Sequence, residues 1–129
     1  MLFRSVVNGI KGLILFPDVY SHPNDIDLPN NINVEGSGGW TSNQYTDSQW
    51  EKMESAGAIF FPLTGKTDEG DVKETESAGY YWASTYSNIT ISGSTRHYAH
   101  RLQINNVQLD NTYHYRYYGC AVRLVRDVD

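Results

Sequence analysis

Residues with a strand preference occur in short runs along this chain, and the runs end at glycine, proline or asparagine. Residues 3–7 and 11–16 form two such runs, with Asn8 and Gly9 between them. Asn-Gly is the strongest short signal for a β-hairpin, because both residues tolerate the positive φ angles of a tight turn. A third run, residues 58–63, contains a proline near its end, where a strand that lacks one N–H group stops. The sequence therefore predicts many short strands.

One segment has the pattern of a helix. Ser48 and Glu51 fit a capping box, in which each side chain bonds to the other residue's backbone. Trp50 and Met53 share one helical face and are predicted to lie in the core, and Gly57 supplies a left-handed stop. We expect one clear helix at about residues 48–56.

The remaining segments complete an α+β fold. We expect long irregular loops at residues 17–47 and 64–78, because turn-forming or charged residues dominate both. The predicted fold is a single domain of residues 1–129 with short antiparallel strands. Its later elements are strands at 80–85 and 97–104, a turn region at 105–111, and an extended segment at 113–118 that leads into a final strand at 120–125.

Length and charge limit the classes of function. The 129 residues, 40% of them hydrophobic, suffice for a domain with its own core. The net charge of −5 argues against a nucleic-acid partner, which requires a basic surface. No apolar run reaches the ~18 residues of a membrane helix, so no direct membrane insertion is expected. The sequence shows no signal peptide, and any export signal is expected to have been removed or to lie upstream.

Tyrosine is concentrated in the last third of the chain, where eight of the ten tyrosines lie between Tyr80 and Tyr118. Tyrosine combines a large rigid ring with a hydroxyl group at low entropic cost, which suits binding surfaces. Tyr113, Tyr115 and Tyr117 are spaced by two, so one face of an extended segment carries all three. We predict a ligand-binding surface whose candidate residues are Tyr98, His100, Gln103, Asn105, Asn106, Tyr113, Tyr115, Tyr117 and Tyr118.

Some aromatic residues of this region have a structural interpretation instead. Trp82 is predicted to be a core residue, and Tyr80 or Tyr81 can join it. If the face with Tyr113 were buried, each of its hydroxyl groups would need a hydrogen-bond partner. The residues between these tyrosines are not apolar enough for an ordinary core, which favours exposure.

No residue pattern indicates catalysis, a cofactor or a metal site. His97 and His100 are three residues apart in a predicted strand, which sends them to opposite faces. The single cysteine, Cys120, cannot form an internal disulfide and is predicted to be a buried structural thiol. The acidic run at residues 68–76 is expected to be a solvated loop. We find no Ser-His-Asp order, phosphate-binding glycine loop or paired-carboxylate motif.

Four segments together resemble one known family, the Fibrobacter succinogenes major paralogous domain, which is common in gut Bacteroidetes. They cover most of the chain in the family's order: VNGIKGLILFPD at 7–18, WEKMESAGAIFFP at 50–62, GYYWAST at 79–85 and RYYGCAVRLVRD at 116–127. The resemblance implies a C-type lectin-like fold, related to the scaffold of the formylglycine-generating enzyme. It also implies a place on the bacterial cell surface or outside the cell, and further residues before the first strand.

The same family resemblance adds expectations about individual residues. The family includes variable proteins of diversity-generating retroelements. The resemblance therefore implies that residues 86–118 are a variable ligand-binding region. Arg116 matches a framework arginine of the family, so a structural role is equally open for it. The segment Trp82-Ala83-Ser84 lacks the ligands of a calcium-dependent sugar site, and a lone Cys120 does not support the related oxidase chemistry.

Two functional hypotheses follow. The first is a non-enzymatic domain that presents the tyrosine-rich surface to a protein or glycan ligand. The alternative is a fixed adhesive or structural module of a bacterial surface lipoprotein or a fimbria-like assembly. Sibling sequences separate the two, because only the first expects differences concentrated in residues 86–118.

Overall fold

The structure is a computed structural model that describes residues 2–29, 40, 42–105 and 109–123, with residues 109 and 110 described by backbone alone. The described residues form two compact units, one ending at Leu63 and the other beginning at Thr64. The architecture is mixed α+β and consists mostly of strands, as predicted. No helix among the described residues is long and apolar enough to cross a membrane.

The first unit contains a four-stranded sheet. Strands β1 (Leu2–Val7) and β2 (Ile10–Leu15) form the predicted hairpin, and Asn8 and Gly9 in its turn have φ angles of 47° and 78°. Strand β3 (Gln44–Tyr45) runs parallel to β1, and β4 (Ile59–Pro62) runs antiparallel to β2. The sheet order is β3-β1-β2-β4.

Helix α1 (Asp47–Ser55) packs into the core of this first unit. Trp50 and Met53 are buried, as their spacing predicted, and they join a cluster that includes Phe3 and Ile14. The predicted cap was wrong: Thr46, not Ser48, precedes the helix, and its Oγ1 accepts a hydrogen bond from the Gln49 backbone N–H at 3.3 Å. The segments 46–49 and 48–51 both fit the capping pattern, and in the structure the earlier one forms the cap, with Asp47 in the first turn of the helix.

The second unit begins with a hairpin that the sequence did not predict. Strands β5 (Lys66–Asp68) and β6 (Asp71–Lys73) pair across a turn at Glu69 and Gly70, both with positive φ. The expected loop at 64–78 therefore contains regular structure. The segment was predicted to be irregular because its residues are charged and exposed rather than alternately apolar.

The second unit also holds a three-stranded antiparallel sheet of β7 (Ala78–Ile91), β8 (Ser94–Asn105) and β9 (Leu109–Tyr115). Strands β7 and β8 are 14 and 12 residues long, so the expectation of short strands was wrong here. A bulge in β7 between Trp82 and Tyr86 shifts the register. Tyr80 and Tyr81 are buried, whereas Trp82, predicted to be a core residue, is half-buried.

The predicted final strand was also wrong over its described part. Gly119 forms an antiparallel bridge with Thr67, and Ala121 forms a parallel bridge with Tyr81, but residues 122–123 have no regular structure. The rest of that predicted strand, residues 124–125, lies outside the described residues, as does much of the predicted loop, at 30–39 and 41. Cys120 is half-buried rather than fully buried, and this burial raises the pKa of its thiol.

Candidate functional site

Strands β8 and β9 bring four of the predicted contact residues together. In their antiparallel register, Tyr98 lies opposite Tyr115, and His100 lies opposite Tyr113. Since side chains alternate along a strand, these four residues share one face of the sheet. Arg96, two residues before Tyr98, belongs to the same face, and Tyr117 extends it beyond β9. We call this set the tyrosine face: Arg96, Tyr98, His100, Tyr113, Tyr115 and Tyr117.

The rings of the tyrosine face are in mutual contact. The Tyr98 centroid lies 5.3 Å from that of Tyr113, with the rings edge to face, and 5.0 Å from that of Tyr115. His100 lies 6.2 Å from Tyr113 on the same face. Aromatic pairs at these separations contribute beyond the area they bury, which holds the rings in position.

Exposure differs sharply among these tyrosines. Tyr98 is only 8% exposed, whereas Tyr113 is 53% and Tyr117 is 68% exposed. Tyr98 therefore forms the floor of the tyrosine face, beneath the rings that a ligand can reach. This burial limits the direct contact with ligand that the sequence predicted for Tyr98.

Tyr117 and Tyr115 form a stacked pair. Their ring planes differ by 13° and their centroids are 5.2 Å apart. A turn after β9 follows, in which the Tyr118 N–H contacts the Tyr115 carbonyl oxygen at 3.4 Å. The pair gives the face a flat aromatic surface at its exposed end.

Arg96 is a residue of this face that the sequence-based site prediction missed. Its Nη1 donates a hydrogen bond to the Tyr115 hydroxyl oxygen at 3.0 Å. Hydrogen bonds with Tyr98 and then Arg96 lower the pKa of Tyr115, and the bond to Tyr115 raises the pKa of Tyr98. The available signal was the two-residue spacing between Arg96 and Tyr98 within one strand.

His100 contributes a polar group beside these rings. Its Nε2 lies 3.0 Å from the hydroxyl oxygen of Ser87, which neighbours it from β7. His97 instead bonds to Asn88 at 2.7 Å. The odd and even positions of β8 place the two histidines on opposite faces, as predicted, and among the described residues no group of three His, Cys, Asp or Glu side chains could hold a metal.

Two predicted site residues lie on the other face of the sheet. Gln103 pairs in register with Tyr80 and Asn105 with Ala78, and both side chains are half-buried. Gln103 accepts a hydrogen bond at 3.2 Å from Arg101, whose buried guanidinium lies 4.3 Å above the Tyr80 ring. These contacts indicate a structural role for Gln103.

Tyr118, another predicted site residue, contacts two side chains outside the tyrosine face. Its ring meets His114 edge to face at 4.6 Å, and the Lys66 ammonium lies 5.0 Å from the ring centroid. Burial, followed by the charges of Arg101 and Lys66, lowers the pKa of His114. The Tyr118 ring meets the tyrosine face at its border, where its centroid lies 4.7 Å from that of Tyr117. The remaining candidate, Asn106, lies outside the described residues.

Comparisons with known proteins give no relative for this arrangement. A scan against protein-family models finds no match for the chain, and no significant match is found among curated proteins or solved structures. The resemblance to the Fibrobacter succinogenes major paralogous domain thus stays a prediction from the sequence motifs.

Proposed function

We propose that this chain is a non-enzymatic recognition domain and that the tyrosine face contacts its ligand. The observation that carries the proposal is the exposure of Tyr113 and Tyr117 above the closely packed Tyr98. Isolated exposed aromatic residues are ordinary on protein surfaces, but a contiguous exposed set is typical of an interaction site.

The packing of the face supports recognition because it limits the entropy that binding must overcome. Tyr115 is held between Tyr98 and Tyr117, and its hydroxyl group is bonded to Arg96. Rings that are already ordered lose little freedom when a partner covers them. Tyrosine and arginine are also the residue types that contribute most often to binding hot spots.

The scaffold in this proposal is a C-type lectin-like fold of the Fibrobacter succinogenes major paralogous domain family, located on the bacterial surface or outside the cell. The four sequence motifs support it, and a mixed α+β architecture is compatible with it. The proposed variable region, residues 86–118, contains every residue of the tyrosine face. Sequences of sibling genes test the variability, which requires their differences to concentrate in that region.

Binding is tested with a double substitution, Tyr113→Ala with Tyr117→Ala. The probes are a random-sequence peptide display library and a glycan array, each screened with the wild-type chain. We expect the double variant to lose the binding selected by the wild type and to shift its thermal unfolding midpoint by no more than about 5 °C, because both side chains are exposed.

The matched control is Tyr86→Ala. Tyr86 is 66% exposed, but its register partner is Ala99, on the opposite face from Tyr98. We expect this variant to bind as the wild type does. Equal loss of binding in both variants, or no binding by the wild type to either probe set, would contradict the proposed function.

A further inference from the structure

We infer that the ligand of the tyrosine face is an acidic protein segment whose carboxylate group binds the guanidinium of Arg96. This inference rests on the proposed function and specifies the chemistry of the partner. It starts from the charges on the face, continues with the geometry of Arg96, and ends with the residue types that surround it.

Among the residues that the structure describes, no acidic side chain forms an ion pair with the arginine of the tyrosine face. The sequences of the three strands contain one acidic residue, Asp110, and its register partner is Gln103, on the other face. The charge of Asp68 acts on Tyr117. The carboxylate of Asp68 is already paired with the Lys73 ammonium group, at 3.3 Å. An approaching carboxylate therefore meets a permanent positive charge at Arg96.

Arg96 is oriented by neutral partners. It bonds to the Tyr115 hydroxyl at 3.0 Å and also interacts with the Tyr98 hydroxyl. The ion pairs among the described residues, Lys52–Asp25 and Lys73–Asp68, do not include it. A guanidinium has five N–H donors, so two phenol contacts leave donors for a ligand. Because phenols orient the group without neutralising it, a ligand carboxylate gains a charge-assisted hydrogen bond.

The neighbouring side chains favour a protein segment over other acidic ligands. Tyr113 and Tyr117 expose broad ring surfaces on either side of Tyr115 and can cover apolar parts of a peptide. Exposed tyrosines around a fixed arginine have the composition of protein-binding hot spots. The expected partner therefore has an aspartate or glutamate beside an apolar or aromatic residue.

Selection from a random-sequence peptide display library tests this composition directly. We expect peptides selected by the wild-type chain to be enriched in aspartate and glutamate, and peptides selected by Arg96→Gln to lose that enrichment. Binding of a selected synthetic peptide should weaken about tenfold or more in Arg96→Gln, and the difference should shrink as salt is raised. Arg96→Lys keeps the charge but not the planar fork, so its affinity for the peptide should lie between those of the wild type and Arg96→Gln.

The matched control is Arg116→Gln. Arg116 is also an exposed arginine beside a tyrosine, because its guanidinium lies 5.6 Å from the ring centroid of Tyr86. Tyr86 pairs with Ala99 and so lies on the opposite face from Tyr98. We expect Arg116→Gln to bind the selected peptide as the wild type does. If Arg116→Gln weakens binding as much as Arg96→Gln, general charge attraction explains the result and the inference is wrong. Circular dichroism of each variant checks that folding is retained.

The outcomes separate this inference from the proposed function. Selected peptides without acidic enrichment overturn the inference, and loss of their binding in the Tyr113 and Tyr117 double variant leaves the proposed function intact. Binding to acidic members of a glycan array without peptide binding also overturns it, because the partner is then a carbohydrate. If the double variant retains binding, the tyrosine face is not the site and both fail.

Discussion

Nη1 of Arg96 and the hydroxyl oxygen of Tyr115 are joined by a hydrogen bond of 3.0 Å between adjacent strands. The bond joins a charged group to a ring that is stacked on Tyr117. It therefore couples the electrostatics of the tyrosine face to its packing. Neither residue could take this position without the β8–β9 register that sets Tyr98 opposite Tyr115.

The order in which two neighbouring tyrosines ionise checks this bond. Hydrogen bonds with Tyr98 and Arg96 lower the pKa of Tyr115, while the pKa of Tyr98 is raised by Tyr115 and by burial. On raising the pH, the Tyr115 phenol should lose its proton before the Tyr98 phenol. Substituting Arg96→Gln should raise the pKa of Tyr115, because a guanidinium favours the nearby phenolate. Ring-carbon NMR chemical shifts followed against pH, with Arg116→Gln as the control, measure both effects.

Burial predicts consequences of different size for the unfolding midpoint when two tyrosines of the same face are removed. Tyr98→Ala removes a ring packed against Tyr113 and Tyr115, and should lower the unfolding midpoint by about 10 °C. Tyr117→Ala removes an exposed ring and should change it by only about 2–3 °C. Thermal unfolding followed by circular dichroism makes the comparison. Equal losses in the two variants would mean that Tyr117 is a structural residue.

Local sequence signals predicted the elements of the first unit well. Asn8 and Gly9 specify a tight turn by their own conformational preferences, and the β1–β2 hairpin follows from them. The spacing of Trp50 and Met53 identified the buried face of the helix. The sequence did not predict the β5–β6 hairpin or the part of β7 after residue 85. Exposed polar strands lack the apolar alternation that identifies a strand.

The candidate site was predictable in part. Spacing by two put Tyr113 and Tyr115 on one face, which the structure bears out. The partners across the sheet were not predictable, because register depends on the connection between strands and on pairing with distant residues. Tyr98 was therefore expected to be exposed. Arg96 and Gln103 did not depend on register, because alternation along β8 alone places Arg96 on the face of Tyr98 and Gln103 on the opposite face.

The N-cap of α1 provides a stability test with an internal control. Thr46→Ala removes the oxygen that accepts the Gln49 backbone N–H, and should reduce the free energy of unfolding by about 1 kcal/mol. Ser48→Ala, at the position where the sequence suggested a cap, should change it by less than about 0.5 kcal/mol. Urea unfolding of both variants measures the difference. A larger loss for Ser48→Ala would reverse the assignment of the cap.

Gly119 is constrained by a close approach of two backbone segments. Thr67 and Gly119 exchange backbone hydrogen bonds of 2.7 and 2.9 Å, and a Cβ atom on Gly119 would lie 1.7 Å from the Thr67 Oγ1. Gly119→Ala should therefore reduce the free energy of unfolding by about 1–3 kcal/mol through overpacking. Adding Thr67→Ala removes the clashing oxygen and should restore part of the loss. Additive losses in the double variant, measured against Thr67→Ala alone, would exclude this contact as the cause.

Alkaline unfolding should follow the ionisation of buried tyrosine. Burial, followed by the hydrogen bond to Glu74, raises the pKa of Tyr80 from 10.0 to about 12. Between these values the unfolded chain has released the proton and the folded chain keeps it, so stability falls as the pH rises from about 10 to about 12. Urea unfolding at pH values below and within this window should show the fall. Tyr80→Phe should make it smaller, since one raised pKa is removed. An equal pH dependence in Tyr80→Phe and the wild type would show that the Tyr80 proton does not contribute to it.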